Sequence, residues 1–166
     1  GVADLLEHAP NIPVIGSNKQ LACGSQPVSE GETIAGLGAE FTVLEVPGHT
    51  LDHVAFVSTS TLFDHPVAFT GDTMFVAGCG RLFEGTPEQM FTSLHKIDQS
   101  PSDTAVYCAH EYTLSNLKFA IAVEPENPAI QERLETVTAL RETNQPTVPS
   151  TLELERQTNP FLRAQT

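Results

Sequence analysis

Apolar positions along this chain fall first into short runs of strand type and later into helical stripes. Val2 to His8 has helical apolar spacing, which Pro10 and Pro13 stop before a short strand at Val14-Ile15-Gly16, as at the tail of a βαβ-type unit. Glu32 to Ala35 and Glu40 to Val46 read as strands separated by a turn with Gly36 and Gly38. His53 to Ser58 and Pro66 to Thr70 add two more, joined by Asp64-His65-Pro66, so the pattern predicts a β-meander.

A helix is predicted over Pro87 to Ile97. Thr86 can cap it, Pro87 suits its first turn, Glu88 sets negative charge at the positive end of the dipole, and Met90, Phe91, Leu94 and Ile97 form its inward stripe. Ala105 to Cys108 reads as a strand and Leu114 to Val123 as a second helix. Beyond Pro125 the chain becomes charged and amphipathic, and Pro128 to Glu142 predicts a helix with Ile130, Leu134, Val137 and Leu140 or Arg141 at helical spacing. Pro146 and Pro149 break it, Ser150 or Thr151 caps a brief helix over Leu152 to Arg156, and Asn159-Pro160-Phe161-Leu162 ends the chain as a hook. The change of character near Glu124 divides the chain into residues 1–124 and 125–166, with no linker long enough to separate independent domains.

Composition narrows the function classes. With 166 residues, 40% of them hydrophobic, the chain suits one globular domain with a real core, and no run approaches the ~20 apolar residues that span a bilayer. A net charge of −13 repels nucleic acid and anionic lipid, so neither is expected as a partner. An anionic small substrate would need a local cation, and Arg81, Lys118 and Arg163 are the candidates near informative motifs. Cys23, Cys79 and Cys108 are odd in number and widely spaced, which speaks against a disulfide framework and for a reducing, cytoplasmic setting. The first residues lack the basic start and apolar run of a secretion signal.

Candidate chemistry concentrates in three strings: Val-Pro-Gly-His49-Thr, Thr-Gly-Asp72-Thr and Cys-Ala-His110-Glu-Tyr-Thr. Each follows an apolar strand-type run and ends on a potential metal ligand, so separate strands can bring the three to one site. His49 alone is equally a histidine bonding its own loop, and Asp72 alone an Asx-turn or cap. A carboxylate between two cations suits a two-metal site, yet no His-x-His or His-Glu-x-x-His pair exists to complete one. Between Asp72 and His110 lies a glycine-punctuated loop, Phe75 to Gly85, whose Arg81 either meets an anionic ligand or pairs with Glu84. Tyr112 offers a hydroxyl or simply packs. His8, His65 and His95 read as surface or local groups, and His53 as a donor supporting the ligands.

Taken together, the strings resemble the glyoxalase II family, the hydroxyacylglutathione hydrolases of the metallo-β-lactamase superfamily. The resemblance rests on Thr70-Gly-Asp-Thr-Met-Phe-Val-Ala-Gly-Cys-Gly-Arg-Leu-Phe-Glu-Gly85, on Cys108-Ala-His-Glu-Tyr-Thr-Leu-Ser-Asn-Leu-Lys-Phe119, and on the tail Pro146-Thr-Val-Pro-Ser150 with Asn159-Pro-Phe-Leu-Arg163. It implies an α/β fold, a four-layer αββα metallo-β-lactamase-type sandwich over residues 1–124 with its N-terminal part missing, and a C-terminal helical region over 125–166 that helps hold glutathione. It also implies that His49 binds a first metal, Asp72 bridges two, and His110 binds the second. Arg81, Phe83 and Tyr112 fall at positions that contact glutathione, although many relatives carry tyrosine where this chain has Phe83. The implied cofactors are two divalent ions, zinc foremost, with iron or manganese compatible with the same donors.

The resemblance further implies hydrolysis of S-(2-hydroxyacyl)glutathione, such as S-lactoylglutathione, to glutathione and a 2-hydroxy acid such as D-lactate, in methylglyoxal detoxification. The family's remaining ligands lie in a Thr-His-x-His-x-Asp-His string just upstream of a Gly-Gly pair whose second member Gly1 resembles. The chain is therefore expected to be a fragment, holding metal weakly and inactive as it stands, monomeric when complete and prone to pairing or aggregation through an exposed sheet edge when not. The alternatives are a glutathione persulfide dioxygenase-like enzyme of the same superfamily and a metal-poor fragment retained for binding.

Overall fold

The computed structural model describes residues 2–17 and 26–164, and Cys23 lies outside them. Helix α1 (Val2–His8) buries none of its residues, and Ile15–Gly16 (β1) pairs in parallel with Gln26–Pro27 (β2). The meander follows as β3 (Thr33–Gly36), β4 (Ala39–Glu45), β5 (Val54–Ser58) and β6 (Val67–Gly71). Along β4 the residues Ala39, Phe41 and Val43 are buried while Glu40 and Thr42 are exposed, the two-residue period of a half-buried strand. A small antiparallel hairpin of β7 (Met74–Phe75) and β8 (Gly78–Cys79) comes next, inside the segment the sequence marks only as a loop. Two-residue strands are too short to show a period, and their turn residues, Val76 and Ala77, carry no turn signal; Ala77 nonetheless adopts φ +54°.

Helix α2 (Pro87–Asp98) begins where Thr86 predicts: its side chain accepts the Gln89 N–H while the Gln89 side chain accepts the Thr86 N–H, a reciprocal capping box. Strand β9 (Ala105–Cys108) precedes α3 (Thr113–Val123) and α4 (Pro128–Glu142), the latter capped by Asn127, whose side chain accepts the Ala129 N–H. Strand β10 (Ser150–Thr151) and α5 (Leu152–Thr158) end the described elements. On α4 the buried residues are Ile130, Arg133 and Val137, so a guanidinium occupies the inner face where the sequence suggests Leu134, which is half-buried.

Six strands form one mixed sheet in the order β10-β9-β6-β5-β4-β3. Every pairing in it is antiparallel except β6 with β9. Two successive antiparallel steps leave β4 and β6 pointing the same way, and β9 runs parallel to β6, so the C-terminal ends of all three lie along one edge. One face packs Val46, Ala55 and Val106 against Met90, Leu94 and Ile97 of α2 and Leu152 of α5. The other carries Ala39, Phe41 and Val67 with Phe56, Phe63 and Phe69, and the rings of Phe63, Phe41, Phe69 and Tyr107 touch in that order. Helices α3 and α4 make a third cluster through Leu117, Ala120, Ile130 and Val137, which closes over Ala77 of the hairpin. No helix among the described residues is long and apolar enough to cross a membrane. The α/β sheet-and-helix architecture agrees with the fold class expected from the sequence.

Candidate functional site

The shared strand edge gathers the three predicted ligands. Asp72 follows β6 directly, His110 follows β9, and His49 sits in the loop after β4. The Asp72 carboxylate lies 3.1 Å from His110 Nε2, the two side chains meeting at the partly exposed strand edge. His49 lies on the other side of Gly80 from the Asp72 backbone: a Cβ at Gly80 would stand 1.8 Å from the Asp72 carbonyl oxygen and 3.4 Å from His49 Nδ1. Glycine at 80 is thus a requirement of close approach, not of backbone torsion.

Backbone contacts aim His49. Its Nδ1–H donates to the Arg81 carbonyl at 2.8 Å, leaving Nε2 as a free donor atom for a cation. The loop is held from both sides, with the Gly85 N–H donating to the Gly48 carbonyl and the Phe83 N–H to the His49 carbonyl. Ser93 of α2 donates to the Pro47 carbonyl at 2.7 Å, tying the helix to the same turn.

His53 supports the site as the sequence suggests, but toward the Asp72 backbone it is an acceptor and not a donor. Its Nε2 accepts the Asp72 N–H at 3.1 Å, and its Nδ1 lies 3.3 Å from the Thr73 hydroxyl. An accepting Nε2 requires a neutral ring, and burial, opposed by the nearby Asp72 charge, holds the His53 pKa below its ordinary value. Gly71, at φ +52°, packs so tightly on this ring that a Cβ there would meet it at 2.6 Å.

The walls are aromatic. His110 stacks on Tyr112 with ring centroids 4.7 Å apart, and Phe75 of β7 presents itself edge-on to both. Phe83, 67% exposed, covers His49 at 4.9 Å, and the Arg81 guanidinium lies 6.0 Å from the Phe83 ring. The Arg81–Glu84 pairing weighed from the sequence does not form: Glu84 accepts the Leu51 N–H instead, and no ion pair of Arg81 occurs among the described residues. Glu111, beside His110, accepts from the Thr147 N–H and hydroxyl and so fastens the C-terminal segment to the site loop.

Imidazole and carboxylate are the donor types that zinc, iron or manganese accept. Their number is short: among the described residues no group of three or more His, Cys, Asp or Glu side chains is placed to hold one ion. What the described residues supply is the Asp72–His110 pair and an aimed third donor, His49. Cys79 and Cys108 add no ligand. Burial raises the Cys79 thiol to about 11 and pushes Cys108 upward as well, so both stay protonated near neutrality. His8 and His95 bond carbonyls of their own helices, and His65 stands 4.0 Å from Asp103.

Known proteins place this arrangement in context. Residues 111–166 match the family model described as hydroxyacylglutathione hydrolase C-terminus. The hydroxyacylglutathione hydrolase of Pectobacterium atrosepticum is 49% identical over 164 residues, which cover 98% of this chain and 63% of that protein. The chain therefore spans less than two thirds of the length of such relatives. Among solved structures, a metallo-β-lactamase from Staphylococcus aureus superposes over the whole chain and 45% of its own length, with a TM-score of 0.70 at 21% identity. TTHA1623, solved in a di-iron-bound form, superposes over 97% of this chain and 70% of its own with a TM-score of 0.64 at 25% identity. The chain has the metallo-β-lactamase fold and, over the part of their length that it spans, is similar in sequence to the hydroxyacylglutathione hydrolases, or glyoxalase II enzymes.

Proposed function

We propose that this chain supplies the metal-bridging edge and the glutathione-side wall of a thioester hydrolase that converts S-(2-hydroxyacyl)glutathione, S-lactoylglutathione foremost, into glutathione and a 2-hydroxy acid in methylglyoxal detoxification. The observation that carries the proposal is the Asp72 carboxylate in contact with His110 Nε2, with His49 lying across Gly80 from the Asp72 backbone carbonyl. The relative named hydroxyacylglutathione hydrolase and the neighbour solved with two irons support it.

In this reading His49, Asp72 and His110 would hold two divalent ions, with the Asp72 carboxylate common to both. When bound, such a pair of cations supplies an acidified water and polarises the thioester carbonyl. The chain's own groups do the rest. The carboxylate of Asp72 lends negative charge between the cations, and the Nδ1–H of His49, spent on the Arg81 carbonyl, fixes the ring in the tautomer that leaves Nε2 unprotonated. Arg81 meets the anionic glutathione moiety, Phe83 contributes packing without a hydroxyl, and Tyr112 lines the far side against His110. Protonated Cys79 and Cys108 are poor nucleophiles, in keeping with attack by water. Residues 1–124 then form the metal-bearing part and 125–166 the helical part on the glutathione side.

Each ion draws only two donors from the described residues, fewer than the three protein ligands of a usual catalytic zinc site. The test follows. The chain alone is expected to hold sub-stoichiometric zinc and to leave S-D-lactoylglutathione intact. Joined to the part of the Pectobacterium atrosepticum relative that it does not span, it is expected to bind two ions and hydrolyse the thioester, and Asp72→Asn in that protein to abolish both. A joined protein that binds two ions yet cleaves no 2-hydroxyacyl thioester overturns the proposal. Oxygen uptake on glutathione persulfide would replace it with the dioxygenase reading.

A further inference from the structure

The turn of the β7–β8 hairpin is held by three buried or half-buried side chains, one from α3, one from α5 and one from just beyond α5. Glu155 Oε2 accepts the Ala77 N–H at 2.8 Å. Asn159 Nδ2 donates to the carbonyls of Phe75, at 3.2 Å, and Gly78, at 3.0 Å. Asn116 Nδ2, from α3, donates to the Val76 carbonyl at 2.9 Å, and packs so close to Gly78 that a Cβ there would meet it at 2.6 Å. The backbone polar groups across the turn thus find partners in side chains that arrive from α3, from α5 and from just beyond it.

Glu155 and Asn159 are both fully buried. An unpaired carboxylate at that depth would be prohibitive, and Arg133 of α4 compensates it, with Nη2 2.7 Å from Glu155 Oε1. The remaining valences close locally. Arg133 also donates to the hydroxyls of Ser150 and Thr158, Ser150 donates to Glu155 Oε1 at 2.6 Å, and Asn159 Nδ2 donates to Glu155 Oε2 at 3.0 Å. A network this complete is rigid, because each member fixes the geometry of the next. It grips a turn in which Ala77 holds a left-handed φ of +54°, a conformation that an L-residue keeps only when its surroundings impose it.

The hairpin ends at the candidate site. Asp72 stands just before β7, and Gly80 and Arg81 just after β8, with the Gly80 N–H donating to the Thr73 carbonyl. Phe75, whose carbonyl Asn159 holds, is the ring that supports both His110 and Tyr112. A shift of the turn therefore displaces the carboxylate, the guanidinium and the aromatic floor together.

We propose that Glu155, neutralised by Arg133, is a positioning residue: through the Ala77 N–H, and with Asn159 and Asn116 on the neighbouring carbonyls, it sets the hairpin that aims Asp72, Arg81 and Phe75 into the site. The proposal rests on the reading of Asp72 and His110 as metal-side residues, and its first readout needs neither metal nor turnover. In NMR spectra of the chain as it stands, the Ala77 amide is expected to exchange slowly, and nuclear Overhauser effects are expected between the Phe75 ring and the rings of His110 and Tyr112. Their absence from the unmodified chain overturns the proposal outright, whatever any variant does.

Two paired substitutions separate positioning from simple stability. Arg133→Met with Glu155→Gln keeps an acceptor for Ala77 and removes both buried charges, and it is expected to retain the Phe75 contacts and the protection. Arg133→Met with Glu155→Leu keeps the volume but removes the acceptor. It is expected to fold while the Ala77 amide exchanges about tenfold faster, the cost of one hydrogen bond, and the Phe75–His110 contact is lost. Equal spectra for the two pairs refute the positioning role. In the joined protein, the leucine pair is expected to lower kcat for S-D-lactoylglutathione while the glutamine pair does not; equal kcat for both also refutes it. If the joined protein with the native residues shows no hydrolysis at all, the functional reading falls while the NMR test of Glu155 still stands.

Discussion

Gly80→Ala is the sharpest test of how the site is assembled. The added Cβ would fall 1.8 Å from the Asp72 carbonyl oxygen and 3.0 Å from its carbonyl carbon. These are backbone atoms, so no side chain can swing away. One strand segment must move by roughly 1.2 Å merely to reach 3.0 Å, the distance below which real Cβ atoms are essentially never found. Overpacking of this kind costs about 1–3 kcal/mol, and here the upper end or beyond is expected because the Gly80 N–H to Thr73 bond pins the same residue. Urea unfolding of the chain measures it, with Gly36→Ala as control, since nothing lies within 4 Å of a Cβ at Gly36 and a change within about 0.5 kcal/mol is expected there. The displacement also pulls Asp72 from His110, and misplacement by about 1 Å costs on the order of a hundredfold in rate, to be read as S-D-lactoylglutathione hydrolysis in the joined protein. A Gly80→Ala chain as stable as the Gly36→Ala control would refute the close approach of Gly80 to Asp72, and with it the placement of His49 across Gly80 from the Asp72 backbone.

Other outcomes follow from the same coordinates. Arg133→Ala leaves Glu155 buried and unpaired and is expected to destabilise by about 3–5 kcal/mol, whereas Arg163→Ala, which breaks the partly exposed pair with Glu124, is expected to cost at most about 1 kcal/mol and less in high salt; reversed magnitudes in chemical denaturation would contradict the burial assignments. In a Cys23→Ser background, Cys79 is expected to react with a disulfide reagent at pH 8 about a hundredfold more slowly than an unperturbed thiol, because its pKa rises from 9.0 to about 11; peptide mapping that finds Cys79 labelled rapidly in the folded chain would exclude that burial. The raised Cys79 pKa also has a stability consequence. The unfolded thiol ionises first, so its contribution is intact below pH 9 and is lost as the pH climbs toward 11, and a Cys79→Ala chain is expected to show a shallower alkaline decline in unfolding free energy. Thr86→Ala removes one half of the α2 capping box and is expected to cost about 1 kcal/mol, measured by thermal unfolding, with Thr86→Ser restoring it.

Much of this was legible in the residues because local rules and tertiary demands agree. The Thr86-Pro87 start of α2 and the Asn127-Pro128 start of α4 appear where capping chemistry puts them, and the alternation along β4 announces its buried face. His49, Asp72 and His110 follow strands that point the same way, so three similar strings place their backbone positions along one edge, where Asp72 and His110 are in contact. The β7–β8 hairpin was hidden because its turn depends on Glu155, Asn116 and Asn159, partners far along the chain, and not on a local glycine or asparagine. Arg133 did leave a trace: it lies three residues after Ile130 and four before Val137, which is the inner face of α4. Leu134 packs half-buried on the same cluster as expected, while the buried guanidinium beside it depends on a carboxylate partner, Glu155, far along the chain. The backbone task of His53 left no sequence signal beyond its closeness to His49.

The parallel seam between β6 and β9 also governs when the site comes into being. Hairpin-linked β3 through β6 can zip together from near neighbours, whereas β9 must return across α2 before it finds β6, and long-range parallel pairing is slow to form. His110 travels with that late strand. A chain in which β9 has not yet paired with β6 leaves Asp72 without the imidazole that stands 3.1 Å from it in the finished fold.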